Sequence, residues 1–318
     1  MGAAASGRPV RSPGGTGAGG TLGPGECEDD PGALVTGLMR PGGPIAGRGW
    51  LLPVALALVV VLALVGIVVA IVNGVSGVTT SSQCTVTAPP GSPGLRPTWS
   101  GSPEQMDNAA TIAGVGRKLG APDRAVTIAL ATAIQESGLA NLSGGDRDSV
   151  GLFQQRPSQG WGTEAELTDT VTSTTKFYDA LLATPGWASM DVTEAAQRVQ
   201  RSGYPEAYAD HEPEARTLAL AFLGQAPGGL TCTDLDVSTP PRETVARLAT
   251  AELGTARLSG RQSPGAGWAI ASWLVAHATR LALDRVTFDG RTWTAESGTW
   301  SPTGPADATL ALHRAGTP

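Results

Sequence analysis

Apolar positions change their period several times along the chain. Residues 51–72 (LLPVALALVVVLALVGIVVAIV) are an unbroken apolar run of 22 residues without a charge. As a helix rising about 1.5 Å per residue, such a run reaches about 33 Å, the depth of a bilayer core. Helical periodicity begins at Ser102-Pro103-Glu104-Gln105, where Ser102 is placed to cap, Pro103 to open the first turn and Gln105 to reach back. Ile112, Val115 and Leu119 follow at helical spacing, and Gly120 with Pro122 ends that helix. A second helix is predicted over 123–137, with Val126, Ala129, Leu130, Ala133 and Ile134 as its buried stripe. Thr163 with Glu166 predicts another capped start, ahead of a helix carrying Phe177, Leu181 and Leu182. Thr193 caps a further helix through Val199, and 213–223 reads as one more, stopped by Gly224. No stretch between 102 and 223 alternates as a strand does. Beyond Cys232 the pattern changes. Residues 267–283 are helical, 286–293 (VTFDGRTW) alternate about an Asp289-Gly290 hairpin turn, and 309–313 read as a third strand.

The expected fold is therefore mainly α: a single transmembrane helix, an α-helical domain, and a small α+β C-terminal domain. The predicted boundaries are a disordered cytoplasmic tail over 1–49, a transmembrane helix over 50–72, an extended semi-flexible stalk over 73–101, the helical domain over 102–232, a linker over 233–241 and the α+β domain over 242–318. Composition agrees with tails and linkers, since 43 Gly and 24 Pro in 318 residues exceed what one compact body uses. About fifty residues precede the apolar run, which argues for an uncleaved anchor rather than a signal peptide. Arg40 and Arg48 lie before it, and the next basic residue is Arg96, so the N-terminus is predicted cytoplasmic and the remainder outside the cell membrane. Cys84 and Cys232 then fall on the oxidising side, bracket the helical domain and are predicted to be bridged, whereas Cys27 falls on the reducing side. A net charge of −6 without a basic run excludes a nucleic-acid partner. His211, His277 and His313 are scattered, and no Cys/His pair has ligand spacing, so neither a metal nor a cofactor is expected.

Candidate chemistry gathers in 133–162 (AIQESGLANLSGGDRDSVGLFQQRPSQGWG). Glu136 shares a helix face with Ala129 and Ala133, small apolar neighbours that resist ionisation and raise a carboxyl pKa. A neutral carboxylic acid is what protonating a glycosidic oxygen requires. The helix stops at Ser137-Gly138, which places Glu136 at the rim of a cleft. Gly151 is expected to let backbone approach a ligand closely. Leu152 and Phe153 anchor the turn, and Gln154 and Gln155 offer donors and acceptors suited to sugar hydroxyls and acetamides. Trp161 supplies a flat apolar face for a sugar ring. Asp146 and Asp148 are the candidate second carboxylates that a hydrolase uses to position water.

Glu136-Ser137-Gly138-Leu139, a short polar loop, and then Ser149-x-Gly151-Leu152-Phe153-Gln154 resemble the signature of the lysozyme-like lytic transglycosylases, over roughly 103–223. The resemblance implies an α-helical lysozyme-like lobe, the glycan strand of peptidoglycan as substrate, Glu136 as the catalytic acid, and Ser149, Phe153 and Gln154 along the groove. It implies a reaction run by one carboxyl group without a cofactor, ending in a 1,6-anhydro sugar. The family also carries a Tyr-Asn-Ala-Gly stretch whose tyrosine lies near the acid. This chain has RSGYPEAYADHEPEA instead, in which Tyr204 is preferred over Tyr208 by its place after a helix end. The segment GWAIASWLVAHA with FDGRTW resembles a small domain appended to secreted bacterial wall proteins, and an envelope-protein partner is expected through it. The competing reading is a non-catalytic peptidoglycan-binding or scaffold module that keeps the cleft without turnover. A Ser or Cys peptidase is disfavoured because His211 has no nucleophile motif nearby.

Overall fold

A capped helix start opens the helical part as its sequence predicts. Ser102 Oγ accepts from Gln105 N at 3.2 Å, and Gln105 Oε1 accepts from Ser102 N at 2.8 Å. The computed structural model describes residues 81–204 and 206–316. These hold nine α-helices and two antiparallel sheets, of three and five strands. The mainly α expectation is thus corrected to a mixed α/β fold. The membrane expectation is corrected as well: among the described residues no helix is long and apolar enough to cross a membrane. The single-pass, membrane-anchored placement is therefore not carried further; the stretch 51–72 on which it rested, with the tail before it, lies outside the described residues.

The region read as a stalk contributes strands β1 (Gln83–Thr87) and β2 (Thr98–Gly101). A third strand, β3 (Leu230–Thr233), completes an antiparallel sheet in the order β2-β1-β3. Cys84 and Val86 point inward and are wholly buried, so this short segment has a core-facing side that its Ser/Thr/Pro composition conceals. Cys84 stands directly opposite Cys232 in the β1–β3 register, and the two form a disulfide. The bridge spans 148 residues, a closure that restricts the unfolded chain by up to about 5 kcal/mol in the entropic account. Reduction, or Cys84→Ser with Cys232→Ser, is expected to lower the urea midpoint by an amount equivalent to about 2–5 kcal/mol. An unchanged midpoint would show that the bridge contributes nothing to stability.

The helices are α1 (Pro103–Lys118), α2 (Asp123–Ser137), α3 (Glu164–Thr168), α4 (Thr170–Ala183), α5 (Val192–Gln200) and α6 (Glu212–Phe222) in the first part. Helix α2 runs through the middle of the helical part. Every residue from Ala125 to Ala133 is buried, and α1, α4, α5, α6 and the short turn Ala207–His211 pack around it. Its many alanines allow that close surrounding. It ends at Gly138 in the left-handed conformation, φ 61°. Gln105 Nε2 donates to the Gly138 carbonyl at 2.7 Å, tying the start of α1 to the end of α2.

Helices α7 (Val245–Leu253), α8 (Pro264–Ala276) and α9 (Ala278–Leu281) follow. The second sheet has the order β4-β8-β5-β6-β7, built from β4 (Gly260–Arg261), β5 (Leu283–Phe288), β6 (Arg291–Thr294), β7 (Trp300–Pro302) and β8 (Thr309–Arg314). The helix expected over 267–283 is interrupted at His277, which separates α8 from α9, and β5 begins at Leu283. The β5–β6 hairpin turns at Asp289-Gly290, both with positive φ, as that dipeptide predicts. Helix α8 is buried from Gly267 to Ala276 and packs on α1 and α6 on one side and on β5 on the other. A Cβ at Gly267 would stand 1.9 Å from the Phe288 ring, so only glycine permits this helix–sheet approach. One core therefore runs through both parts, within a single unit, Gly77–Pro318.

Candidate functional site

Glu136 occupies the last turn of α2, one residue before its end, where the helix emerges from the core. Its side chain is half-buried. Tyr208 Oη donates to Glu136 Oε1 at 2.6 Å, and the Gln200 side-chain amide is a second donor beside it. Burial pushes the Glu136 pKa above the ordinary 4.5, and the hydrogen bonds from Tyr208 and Gln200, which favour the carboxylate, offset only part of that rise. Tyr208 is wholly buried, and burial together with the neighbouring carboxylate raises its pKa and keeps its proton on the phenol. The turn that carries it is held to α2 by a 2.9 Å hydrogen bond between His211 Nε2 and Gln135 Oε1. Gln200 is fixed by donating from Nε2 to the Phe153 carbonyl at 2.6 Å.

Glu136 opens into a cleft of about 410 Å3. Ser149, Gln154, Gln155, Trp161 and Tyr204 also line it, which brings most of the sequence-predicted site residues together. Within that set the roles differ from expectation. Phe153 is fully buried and stacks on Phe177 with ring centroids 4.5 Å apart, so its ring anchors the loop and does not reach a ligand. Gly151 is also buried; at φ 78° its missing Cβ makes room for the Leu167 carbonyl, which would lie 2.1 Å away. The close approach that requires this glycine is to the chain itself, not to a ligand. Gln155 is 2% exposed, donates from Nε2 to Ser173 O at 3.3 Å, and leaves its Oε1 buried without a partner. Of the two tyrosines, Tyr208 touches the acid, while Tyr204 is 76% exposed on the cleft wall.

The two loop aspartates separate clearly. Asp148 accepts from Arg156 Nε at 2.8 Å, Ser158 N at 2.7 Å and Ser158 Oγ at 2.9 Å. Those bonds, led by the Ser158 backbone N–H, hold its carboxyl well below the usual carboxylate range. Both its oxygens are occupied in closing the loop, which leaves it unsuited to activating water. Asp146 lines the cleft and is highly exposed, 3.8 Å from Arg147 Nε.

Sequence reasoning passed over Gln200, Arg201, Arg156 and Gln159, all of which line the cleft. They come from the end of α5 and the loop before α3, and no local motif marks them. The available signal was the polar pair Gln200-Arg201 directly ahead of the Tyr204 stretch. Among the described residues, no group of three His, Cys, Asp or Glu is placed to hold a metal ion. No protein-family model matches the chain, and no curated protein matches it significantly.

Proposed function

We propose that this chain cleaves the glycan strand of peptidoglycan, with Glu136 as the single acid and base. The observation that carries this reading is a half-buried carboxyl of raised pKa at the foot of a polar cleft, held by a tyrosine hydroxyl at 2.6 Å. The protonated Glu136 gives its proton to the oxygen linking muramic acid to glucosamine, and the bond from that oxygen to the anomeric carbon breaks. The substrate's own acetamide shields the positive carbon. The resulting carboxylate, steadied by Tyr208 and Gln200, takes the proton of the sugar's 6-hydroxyl as that oxygen bonds the anomeric carbon. Glu136 returns to its starting state and the product ends in a 1,6-anhydro sugar. The occupied state of Asp148 removes one of the two candidate carboxylates that could direct water and leaves Asp146, exposed on the cleft wall, as the other. The buried, unpartnered Gln155 Oε1 is suited to accept a substrate amide N–H, which would relieve an unsatisfied acceptor.

Digestion of purified peptidoglycan followed by mass analysis of the new ends tests the proposal. Anhydro ends are the expected result. Reducing ends would assign hydrolysis instead, and strand binding without new ends would assign a binding module.

Tyr208→Phe tests the role of the tyrosine. Its hydrogen bond favours the ionised carboxylate, so removing it raises the Glu136 pKa further. The alkaline limb of the pH–rate profile is expected to move to higher pH, with a lower maximal rate because the carboxyl loses its fixed orientation. A limb that stays in place or moves down would remove Tyr208 from the mechanism.

A further inference from the structure

The Glu136 cleft does not end at Trp161. Gln159, Trp161, Gln200 and Arg201 also line an adjoining lobe of about 580 Å3 on the far side, which Arg198 and Thr184 border. We propose that Arg201 forms a carboxylate-binding subsite at this junction, which takes a carboxylate pendant on the glycan strand. The inference rests on the glycan-cleaving reading above and specifies its substrate.

Arg201 ends α5 in the left-handed conformation at φ 53°. Glycine adopts that conformation freely, whereas a residue with a Cβ is strained there. Its backbone N–H closes the helix on Gln197 O at 2.9 Å, but its guanidinium has no carboxylate partner among the described residues. The neighbouring arginines differ: Arg156 is paired with Asp148 at 2.8 Å and Arg198 with Glu194 at 3.2 Å. A planar guanidinium without a carboxylate partner, exposed on a cleft wall, is available to take a carboxylate through two parallel hydrogen bonds. The chain as a whole carries −6, yet arginines outnumber carboxylates along these two lobes. The spacing to the reacting centre is also set by covalent bonds, because Arg201 directly follows Gln200, the amide beside Glu136. A sugar ring resting on Trp161 would then project its lactyl or peptide substituent toward Arg201.

The test uses the full-length chain and three strands: peptide-bearing glycan, amidase-stripped glycan that keeps its lactyl carboxylates, and a chitin oligomer that has neither. Arg201→Asn keeps the left-handed cap, which asparagine tolerates, and removes the charge. It is expected to raise KM about ten-fold on carboxylate-bearing strands, with kcat little changed and chitin unaffected. Arg201→Lys is expected to recover part of the loss, and added salt to shrink the wild-type advantage. A loss on both carboxylate-bearing strands assigns the lactyl group, and a loss on the peptide-bearing strand alone assigns the peptide. An equal change on all three strands, or none on any, overturns the subsite. If the wild-type chain cleaves nothing, the cleavage reading fails by itself. Calorimetric Kd values for the same strands on the Glu136→Gln chain, with and without Arg201→Asn, then decide the subsite by the same contrast.

Discussion

Glu136→Gln is expected to lower the rate of glycan cleavage by about three to four orders of magnitude while the chain stays folded. One side chain serves as both acid and base in the proposed course, so its loss removes both proton transfers, each of the kind that contributes about 10²–10⁴. Glutamine keeps an oxygen that accepts from Tyr208, so the local geometry survives. The wild-type pH profile should carry the same signature. The first step needs the neutral acid, and burial raises the Glu136 pKa above 4.5. Activity therefore falls as pH rises through that raised value. Stability follows the same sign. A carboxyl whose folded pKa is raised binds its proton more tightly in the folded than in the unfolded state. Its contribution is most favourable below the unfolded value and is lost as pH rises through the folded one. Above that raised value the ionised carboxylate is less favourable in the fold than the neutral acid, so there Glu136→Gln should unfold at an equal or higher temperature than wild type. Rates measured by release of soluble fragments and thermal melts at acidic and neutral pH check both statements. A well-folded variant that still releases fragments would end the assignment.

The second large effect is expected outside the cleft lining, at the contact between α1 and the C-terminal part. His277 is fully buried and lies between two carboxylates: its Nδ1 is 2.5 Å from Asp107 Oδ1 and its Nε2 is 3.0 Å from Glu252 Oε2. Glu252 is fully buried too, where it also accepts from Thr111 Oγ1 at 2.9 Å and Trp273 Nε1 at 2.8 Å. Arg280 bridges Asp107 and Glu243. Burial pushes the His277 pKa down, but the charges and hydrogen bonds of Asp107 and Glu252 outweigh it and raise it to about 9. For Asp107 burial pushes up, and His277 with Arg280 pull it below its ordinary value. His277→Ala removes the cation that contacts Glu252 most closely and leaves only Arg280, 3.7 Å away, to offset its buried charge, a change that costs up to about 3–5 kcal/mol. For a unit of this size that is roughly 6–20 °C in Tm, at about 2–4 °C per kcal/mol. The pH window follows from the two shifts. The histidine contribution is in place below 6.5 and is lost as pH rises through about 9. The Asp107 contribution is in place above 3.8 and is lost as pH falls through its lowered value. The wild-type chain should therefore lose stability between neutral pH and pH 10 in excess of the His277→Ala variant. Parallel loss in both chains would show that the histidine carries no charge in the fold.

The proposed acid and this network occupy opposite ends of the same argument about buried charge. Among the described residues Glu136 has donors but no paired cation, so burial outweighs them and its pKa is raised. Asp107 has a cation on either side, so the charge stays. An identical functional group is thus tuned in opposite directions by what the fold places beside it, with the Glu136 pKa raised and the Asp107 pKa lowered.

Local rules act within a few residues, and what they govern was legible in the chain. The capping boxes at Ser102 and Thr163, the glycine stop after Ser137, and the Asp289-Gly290 hairpin each depend on neighbours three or four positions apart. Because the stop follows Glu136 directly, the place of the acid at a helix end was equally readable. Strand β1 was hidden because its partner β3 lies about 150 positions on, and a Ser/Thr/Pro stretch pairs as a strand only when that partner arrives; β2 pairs on β1 in turn. The inward turn of Phe153, the close fit of Gly151 on Leu167 and the choice of Tyr208 over Tyr204 were decided the same way. Each depends on which distant segment comes to lie opposite, and packing in three dimensions settles that where periodicity along the chain does not.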